Sequence, residues 1–401
     1  MSLYEEKLSK TIKKIKLDKI VNFSILNKKN LKLFIVGGFI RDILFNKRDS
    51  KIDADVVILI KSKNIEDYKS LIKCLCNECN YKIVELDNKN LVYRSIINQN
   101  LYLDFTYTLD LNQDFNRRDY TINSLYFDPM DKKLIDFDDC LNDIKNYLLK
   151  AHNLDNLVLD PIRMLRGIRF KNEFNLTFEQ QTYDFIKSNF FHVVNTNPTR
   201  MRQELIKIFN LKKTFSAIND LINLKFFELY DINLNRPDEL IQIIKSFDIL
   251  YQIFQDVLPK EYEFSIKEKN YYLFLLLSSY ILKNSRDLNS WGISLLFGEN
   301  FIKKAQKILN DWNKREDPKY IINNFKHKTS NQIFEVIFIN MLINISKINN
   351  EEYLSTLQTL FKVCNYVCEL KRTIIPFDKY SEIFQETDYS KYIDYVISTL
   401  T

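Results

Sequence analysis

About the first 130 residues alternate between short apolar runs of strand length and one longer stretch with helical spacing. The apolar runs predict five strands: Leu33–Val36, Asp53–Ile60, Tyr81–Leu86, Leu91–Ile97 and Tyr102–Thr108. Residues 64–79 lie between the second and third strands, and their apolar positions recur at helical spacing. The lysine-rich residues 1–30 predict one or more amphipathic helices. The pattern therefore indicates a mixed α/β domain at the N-terminus.

From about residue 141 onward, nearly every stretch has helical periodicity. Breaks fall near residues 153–156, 195–198, 233–237 and 317–318, where Asn, Asp and Pro interrupt the pattern. The patterns together predict an α+β fold class, with a mixed α/β head followed by an elongated all-α region. The composition agrees with a mostly helical chain, because only 5 of the 401 residues are glycine and 7 are proline.

Two acidic residues, Asp53 and Asp55, lie two positions apart on the predicted second strand. Side chains at i and i+2 share one face of a strand, so the two carboxylates repel each other unless a cation binds them. Mg²⁺ prefers such oxygen ligands and usually takes one or two carboxylates together with substrate phosphates. An ordinary pair of surface aspartates is the alternative. Asp104 is the candidate third carboxylate, since it points outward between Leu103 and Phe105 on the fifth strand.

Two adjacent glycines, Gly37 and Gly38, end the first predicted strand and begin a helical stretch that carries Arg41 and Asp42. Backbone amides that lack side chains can approach a phosphate closely, and the positive end of a helix favours an anion. The glycine pair is weak evidence by itself. Together with the acidic strand that follows, it favours a phosphate-binding turn beside a metal site.

A second polar cluster, Arg117, Arg118, Asp119 and Asn123, lies next to an apolar run. Guanidinium groups match phosphate oxygens, and Asp and Asn side chains can hydrogen-bond to ribose hydroxyls. If this stretch is helical, Asp119 and Asn123 share one face. The alternative is a capped helix with an exposed basic start.

A third set, Asp160, Arg163, Arg166 and Arg169, lies on a helix that the pattern predicts to begin at Pro161. Asp followed by Pro is also an ordinary helix start, with the aspartate as N-cap. Arg166 and Arg169 are either phosphate contacts or solvated arginines. The spacing alone does not separate these alternatives.

The net charge of +6 suits a polyanionic partner only if the basic residues are clustered. The N-terminus lacks the apolar core of a secretory signal, and the longest apolar run, residues 271–282, is too short to span a bilayer. The six cysteines have no matching pattern of histidines for zinc. We therefore expect a cytoplasmic protein with reduced thiols and no membrane partner.

The order of these motifs resembles a known enzyme family. The glycine pair with the D-x-D strand resembles the signature of the DNA polymerase beta-like nucleotidyltransferases. The sequences RRDYTIN (117–123), LDPIR (159–163) and NPTRMRQELIKIF (197–209) resemble segments of class II tRNA nucleotidyltransferases and bacterial poly(A) polymerases. The chain departs from that family at four positions: Asp138, Asp139, Leu159 and Thr199 replace the glycines and glutamates that are usual there.

The resemblance implies a polymerase beta-like catalytic head (1–135), a helical neck that recognises the base (136–210) and a helical body and tail that bind tRNA (211–401). It implies addition of C and A from CTP and ATP to the tRNA 3′ end without a template. Asp53 and Asp55, with Asp104 as the third catalytic carboxylate, are implied to hold two Mg²⁺ ions. The residues implied to bind the nucleotide are Gly37, Gly38, Arg41, Asp42, Arg117, Arg118, Asp119, Asn123, Asp160, Arg163, Arg166 and Arg169. Within that set, Asp160 and Arg163 are implied to select C and A, and the body is implied to grip the tRNA acceptor arm.

Alternative functions remain open at this level. Only twelve residues, Phe105–Asn116, separate Asp104 from Arg117, and many CCA-adding relatives have a longer loop there. The short connection therefore indicates, as an alternative, an enzyme that adds only the two C residues. A poly(A) polymerase shares all the motifs, a small-molecule nucleotidyltransferase shares the D-x-D strand, and a catalytically inactive RNA-binding module is the alternative from another class. The oligomeric state does not follow from the sequence.

Overall fold

The computed structural model describes most of the first 313 residues and a few positions beyond them. The described residues are 2–14, 19, 21–23, 31–47, 52–60, 65–87, 91–257, 268–284, 296–313, 335–336, 338–339 and 342–343. The chain divides into two compact units, Met1–Val193 and Val194–Thr401. The predicted break at residues 317–318 lies outside the described residues. The finer division into head, neck and body stays a prediction.

A seven-stranded mixed sheet forms the centre of the first unit. Its strands are β1 (Leu31–Val36), β2 (Ile52–Ile60), β3 (Lys82–Asp87), β4 (Val92–Asn98), β5 (Leu101–Thr108), β6 (Tyr126–Asp128) and β7 (Lys133–Ile135). They lie in the order β3-β4-β5-β2-β1-β6-β7. The pair β2–β5 is parallel, and the other neighbouring pairs are antiparallel.

The five predicted strands are all present, with ends that differ by at most two residues from the prediction. Their alternation has the expected cause, since Ala54, Val56, Leu103 and Phe105 are at most 2% exposed and form the core under the sheet. The pattern did not predict β6 and β7, because strands of three residues are too short to show a period. The α+β fold class is confirmed.

Helices cover the sheet and continue beyond it in the same unit. They are α1 (Leu3–Lys14), α2 (Gly38–Leu44), α3 (Ile65–Cys79), α4 (Leu111–Asn116), α5 (Cys140–Lys145), α6 (Asp155–Leu159), α7 (Ile162–Phe174) and α8 (Gln180–Asn189). A small parallel pair, β8 (Leu148–Leu149) and β9 (Thr177–Phe178), brackets the segment that contains α7. The sequence therefore leads from the sheet into helices near residue 140, as the periodicity predicts.

The second unit is helical throughout its described residues. Its helices are α9 (Pro198–Phe209), α10 (Thr214–Asn223), α11 (Pro237–Val257), α12 (Lys269–Asn284) and α13 (Glu299–Asn313). A buried ion pair between Lys269 and Asp248, with an N–O distance of 2.6 Å, ties α12 to α11. In the part of the chain that the structure describes, no helix is both long and apolar enough to cross a membrane.

Asp139 adopts the left-handed conformation that glycine prefers, with φ 51° and ψ 30°, just before α5. We expect Asp139→Gly to raise the free energy of unfolding by about 0.5–1 kcal/mol, because a residue with a Cβ is strained there. The cap of α5 stays intact, since the Asp136 carboxylate accepts hydrogen bonds from the amides of Cys140 and Leu141 at 2.8 and 2.9 Å. Urea unfolding measures the change.

The control for this prediction is Asp138→Gly, because Asp138 has no positive φ. That change adds unfolded-state entropy without relieving strain, so it lowers the free energy of unfolding or leaves it unchanged. Equal effects of the two substitutions would contradict the strain at Asp139.

Candidate active site

All three candidate carboxylates face the same side of the central strands. The parallel register of β2 and β5 places Asp55 opposite Asp104 and Asp53 opposite Tyr102. Asp53 is 62% exposed at its side chain, whereas the Asp104 side chain is only 16% exposed. The period-2 prediction for these residues is thus matched by the strand geometry.

Asp55 is exposed to solvent, and its carboxylate lies beside the Gly37 backbone and the Arg118 guanidinium. Desolvation by the surrounding protein raises the pKa of Asp55 to about 6. The guanidinium of Arg118 opposes this shift, and the negative charges of Asp104 and Asp53 add to it. The ionised carboxylate is therefore held in an unfavourable environment, as expected at a site built for a cation.

Gly37 is required at the turn before α2. Its φ of 74° is left-handed, and a Cβ at this position would lie 2.8 Å from Oδ2 of Asp55 and 3.4 Å from Nη1 of Arg118. Only a residue without a side chain lets the backbone pass so close to the carboxylate. The observed close neighbour of Gly37 is a carboxylate of the candidate metal site, and the predicted approach of a phosphate stays a prediction.

The donor set fits Mg²⁺ through Asp53 and Asp55. Both supply hard carboxylate oxygens, and the negative charges of Asp104 and Asp53 add to the unfavourable environment of the Asp55 carboxylate. Within the described residues, no three His, Cys, Asp or Glu side chains are arranged as a complete metal site. The pair therefore suits a cation that takes its remaining ligands from a substrate and water. Arg94 contacts Asp104 at 2.7 Å and Asp53 at 3.2 Å, and the part of Asp104 in metal binding stays a prediction.

Arg41 connects the first motif to the second. Its Nη1 donates to Oδ1 of Asn123 at 2.6 Å, and its Nε and Nη2 donate to Oδ1 of Asp42 at 2.9 and 2.7 Å. The guanidinium also lies over the rings of Phe170 and Phe174, 4.7 Å from each centroid. Arg41 is only 7% exposed, so it fixes neighbouring groups more than it faces solvent.

Asp119 connects the second motif to the third. One carboxylate oxygen accepts from Nδ2 of Asn123 at 3.0 Å and from the amide of Tyr120 at 2.8 Å. The other accepts from Nε and Nη2 of Arg166, both at 2.8 Å. Burial alone would raise the pKa of Asp119, but Arg166 and these hydrogen bonds more than offset it and hold the pKa well below its usual range.

The local structure differs from the conditional helix prediction at Asp119 and Asn123. Tyr120 forms an isolated antiparallel bridge with Ala151, and only Thr121–Asn123 forms a 3₁₀ turn. The two side chains nevertheless meet, because the tight turn brings residue 123 back over residue 119. The predicted proximity is confirmed by this contact, and its helical explanation is wrong.

Arg117 and Arg118 share a partner that the sequence analysis did not single out. Asp114, almost fully buried, accepts from Nε of Arg117 at 2.8 Å and from Nη2 of Arg118 at 2.7 Å. Tyr126 donates its hydroxyl to Asp114 at 2.6 Å. Arg118 also donates to the Asn123 carbonyl at 3.2 Å. Arg118 is thereby fixed beside Gly37, whereas the Arg117 side chain remains 59% exposed.

Asp160 and Arg163 remain close and partly accessible at the start of α7. Oδ2 of Asp160 lies 3.7 Å from Nε of Arg163, and the two side chains are 31% and 21% exposed. The helix begins at Ile162, one residue later than predicted. Leu159, which stands where relatives usually have Glu, is 80% exposed. At this position an exposed apolar side chain therefore stands in place of the carboxylate that relatives usually have.

Arg169 shares the ring of Phe170 with Arg41 and Arg166. It is 8% exposed, donates to Oε2 of Glu173 at 2.6 Å, and stacks over Phe170 at 4.2 Å. Glu173 also pairs with Lys47 at 2.8 Å. Arg166 pairs with Asp119, and Arg169 pairs with Glu173.

A glycine in α7 contacts the second motif. A Cβ on Gly167 would lie 2.1 Å from the hydroxyl oxygen of Tyr120, which is fully buried and donates to the Arg163 carbonyl at 3.0 Å. The helix that carries Asp160, Arg163 and Arg166 can approach the RRDYTIN segment this closely only because residue 167 has no side chain. No sequence period signals this contact.

The sequence was compared with known families and proteins. The Poly A polymerase head domain family matches residues 33–150. A CCA-adding enzyme of Lactobacillus johnsonii is 26% identical over 193 residues, which is 46% of this chain and 47% of that protein. Poly(A) polymerase I of Haemophilus influenzae is 26% identical over 205 residues, 46% of this chain and 44% of that protein. The chain spans about half the length of these curated relatives.

The fold was compared with solved structures. The Thermotoga maritima CCA-adding enzyme complexed with tRNA_CCA has a TM-score of 0.65 and 18% sequence identity, and the alignment covers 96% of each chain. The shared fold therefore extends well past the head. By sequence, residues 33–150 match the Poly A polymerase head domain family, and the chain is similar to CCA-adding enzymes and to a poly(A) polymerase.

Proposed function

We propose that this protein is a tRNA nucleotidyltransferase that adds C and A from CTP and ATP to the tRNA 3′ end without a nucleic-acid template. One observation carries the proposal. A continuous chain of contacts runs from Asp42 through Arg41, Asn123 and Asp119 to Arg166, and so joins the three sequence motifs beside the Asp53–Asp55 pair. The homology to CCA-adding enzymes supports this choice of substrate.

In the proposed reaction, the 3′-hydroxyl attacks the α-phosphate in line and pyrophosphate leaves. Gly37, Gly38 and Arg118 cradle the triphosphate, because the glycine backbone and a fixed guanidinium border the carboxylates. Arg41 holds the turn, and the exposed Arg117 adds a further phosphate contact. Two bound Mg²⁺ ions would activate the hydroxyl and neutralise the leaving pyrophosphate, with Asp53 and Asp55 as their protein ligands.

The neck of the proposed enzyme selects the base. Asp160 accepts from the exocyclic amine of C or A, and Arg163 donates to a ring acceptor. G and U present the opposite polarity and leave the pair unmatched, which a binding site can reject strongly. Asp119 and Asn123 hold the ribose, and Arg166 keeps the Asp119 carboxylate oriented. The helical body binds the acceptor arm mainly through phosphates, so binding weakens as salt rises.

Extension of tRNA transcripts tests the proposal. Transcripts that end before the CCA, after CC, and after the complete CCA are incubated with Mg²⁺ and one labelled nucleoside triphosphate. We expect C, C and A to be added in order and addition to stop there, with products resolved to single nucleotides. Long A tails would identify a poly(A) polymerase, and no incorporation with any transcript would overturn the proposal.

A second candidate is an enzyme that adds only the two C residues. The observation that favours it is the short connection after Asp104: β5 ends at Thr108, and α4 begins at Leu111 with Asp110 as its N-cap. The Asp110 side chain accepts a hydrogen bond from the Asn112 amide at 3.0 Å, so the connection between β5 and α4 is a short, hydrogen-bonded turn. In the transcript assay, this candidate stops after the second C even when ATP is present.

A further inference from the structure

Arg94 extends the row of charged side chains across three neighbouring strands. The antiparallel register of β4 and β5 places Arg94 opposite Asp104, and the parallel register of β5 and β2 places Asp104 opposite Asp55. Paired residues of adjacent strands project to the same face. A positive charge is therefore built into the sheet beside the carboxylates to which the proposed function assigns Mg²⁺.

The contacts that Arg94 makes are unequal. Its Nε and Nη2 each lie 2.7 Å from an oxygen of Asp104, a two-pronged pair with a side chain that is 16% exposed. The same Nη2 lies farther from the Asp53 oxygens, at 3.2 and 3.3 Å, and the Asp53 side chain is 62% exposed. The contact with Asp104 is therefore the stronger of the two. The contact with Asp53 is longer and more exposed to solvent, so it opens more easily.

The guanidinium is held in this place from other sides as well. It lies over the ring of Tyr102, 5.6 Å from the centroid, and Tyr102 is the residue that the β2–β5 register places opposite Asp53. An arginine guanidinium does not lose its proton in a protein, so Arg94 stays charged at every working pH. Arg94 cannot leave the site by losing its charge.

We propose that Arg94 is an internal counter-ion of the carboxylate site, and that a divalent cation must open its contact with Asp53 in order to bind. This inference rests on the proposed function, because it assigns the cation to Asp53 and Asp55. Asp104 then acts through Arg94: its two-pronged contact keeps the guanidinium on the sheet when the Asp53 contact opens. The built-in charge keeps divalent affinity low until substrate phosphates add their own ligands.

Binding of Mn²⁺ to the nucleotide-free protein tests the proposal without any activity measurement. Free Mn²⁺ is followed by its electron paramagnetic resonance signal during titration of wild type and Arg94→Met. We expect Arg94→Met to bind the first ion about tenfold more tightly at low salt, since a nearby positive charge is removed, and the gain to shrink as ionic strength rises. Unchanged or weaker binding would overturn the proposal.

A second variant and a control keep the result interpretable. Arg94→Gln removes the charge but keeps an amide that can donate to Asp104, so it is expected to fold if the methionine variant does not, with the same direction of change. The control is Lys69→Met on α3, which removes one positive charge beside Tyr93. The side chains of Tyr93 and Arg94 lie on opposite faces of β4, so this charge is removed on the other side of the sheet. A gain in Mn²⁺ affinity that this control reproduces would overturn the role of Arg94.

Asp55→Asn separates failure of this inference from failure of the proposed function. If Asp55→Asn abolishes Mn²⁺ binding while Arg94→Met leaves the wild-type affinity unchanged, only the counter-ion is refuted. If Asp55→Asn leaves Mn²⁺ binding unchanged, the carboxylate pair does not hold the cation. Both the proposed metal site and the inference then fail.

Discussion

Asp55→Asn is expected to lower nucleotide incorporation by about 10³-fold or more, because loss of a metal-ligand carboxylate removes several kcal/mol of transition-state stabilisation. Asparagine has the same shape, so the space beside Gly37 stays filled. Incorporation into a tRNA transcript with saturating CTP and Mg²⁺ measures the effect. Activity within tenfold of wild type would contradict the assignment of Asp55 and favour a protein that binds RNA without this chemistry.

The same substitution is expected to leave stability unchanged or to raise it in the absence of metal. The pKa of Asp55 is raised from 3.8 to about 6, so the fold disfavours the ionised carboxylate. Below pH 3.8 both folded and unfolded states are protonated, and stability is lost as pH rises through about 6. Wild type should therefore lose stability relative to Asp55→Asn between these values, as urea unfolding at several pH values would show.

Glu85→Gln is the matched control for the loss of nucleotide incorporation that we expect from Asp55→Asn. Glu85 is exposed on β3, and its register partner Tyr93 projects to the face of the sheet opposite Arg94 and the carboxylates. The substitution removes one carboxylate charge from the same sheet without touching the site. Loss of activity in this control as well would mean that overall charge, and not the ligand, accounts for the effect.

The parts of the site that could be predicted are those that obey a local period or a backbone requirement. Asp53, Asp55 and Asp104 follow from alternation on strands, and the need for Gly37 follows from a strand that turns directly into a helix. These features depend on neighbours within a few residues of the chain. The sequence carries that information without any knowledge of long-range pairing.

The parts that could not be predicted depend on pairing between distant segments. Arg94 reaches Asp104 only through the β4–β5 register, which also contains an irregularity between Ile96 and Asn98. Asp114 lies three and four residues before Arg117 and Arg118, which is local helical spacing, but its hydrogen bond with Tyr126 spans twelve residues and joins it to a three-residue strand. Nothing in the local pattern distinguishes Arg94 from other polar residues on strands, whereas the spacing of Asp114 from the two arginines is a local signal that the sequence analysis did not use.

Gly167→Ala is expected to lower nucleotide incorporation by about 100-fold, because an ångström-scale shift of substrate-positioning groups can cost that much. The added Cβ would lie 2.1 Å from the Tyr120 hydroxyl oxygen and 2.8 Å from its ring carbon Cζ. Helix α7 must move away, and it carries Asp160, Arg163 and Arg166. The free energy of unfolding should fall by about 1–3 kcal/mol, as is usual for overpacking in a core.

Tyr120→Phe decides whether this contact is the cause. Alone, the change loses the hydrogen bond to the Arg163 carbonyl and costs about 1 kcal/mol. Combined with Gly167→Ala, it removes the 2.1 Å clash and leaves the 2.8 Å one, so we expect partial recovery of both stability and incorporation. Urea unfolding and the transcript assay on all four proteins give the coupling between the two positions. Purely additive effects would mean that Tyr120 and Gly167 do not set the position of α7. Recovery would show that the fit between one hydroxyl and one missing side chain keeps α7 against the RRDYTIN segment.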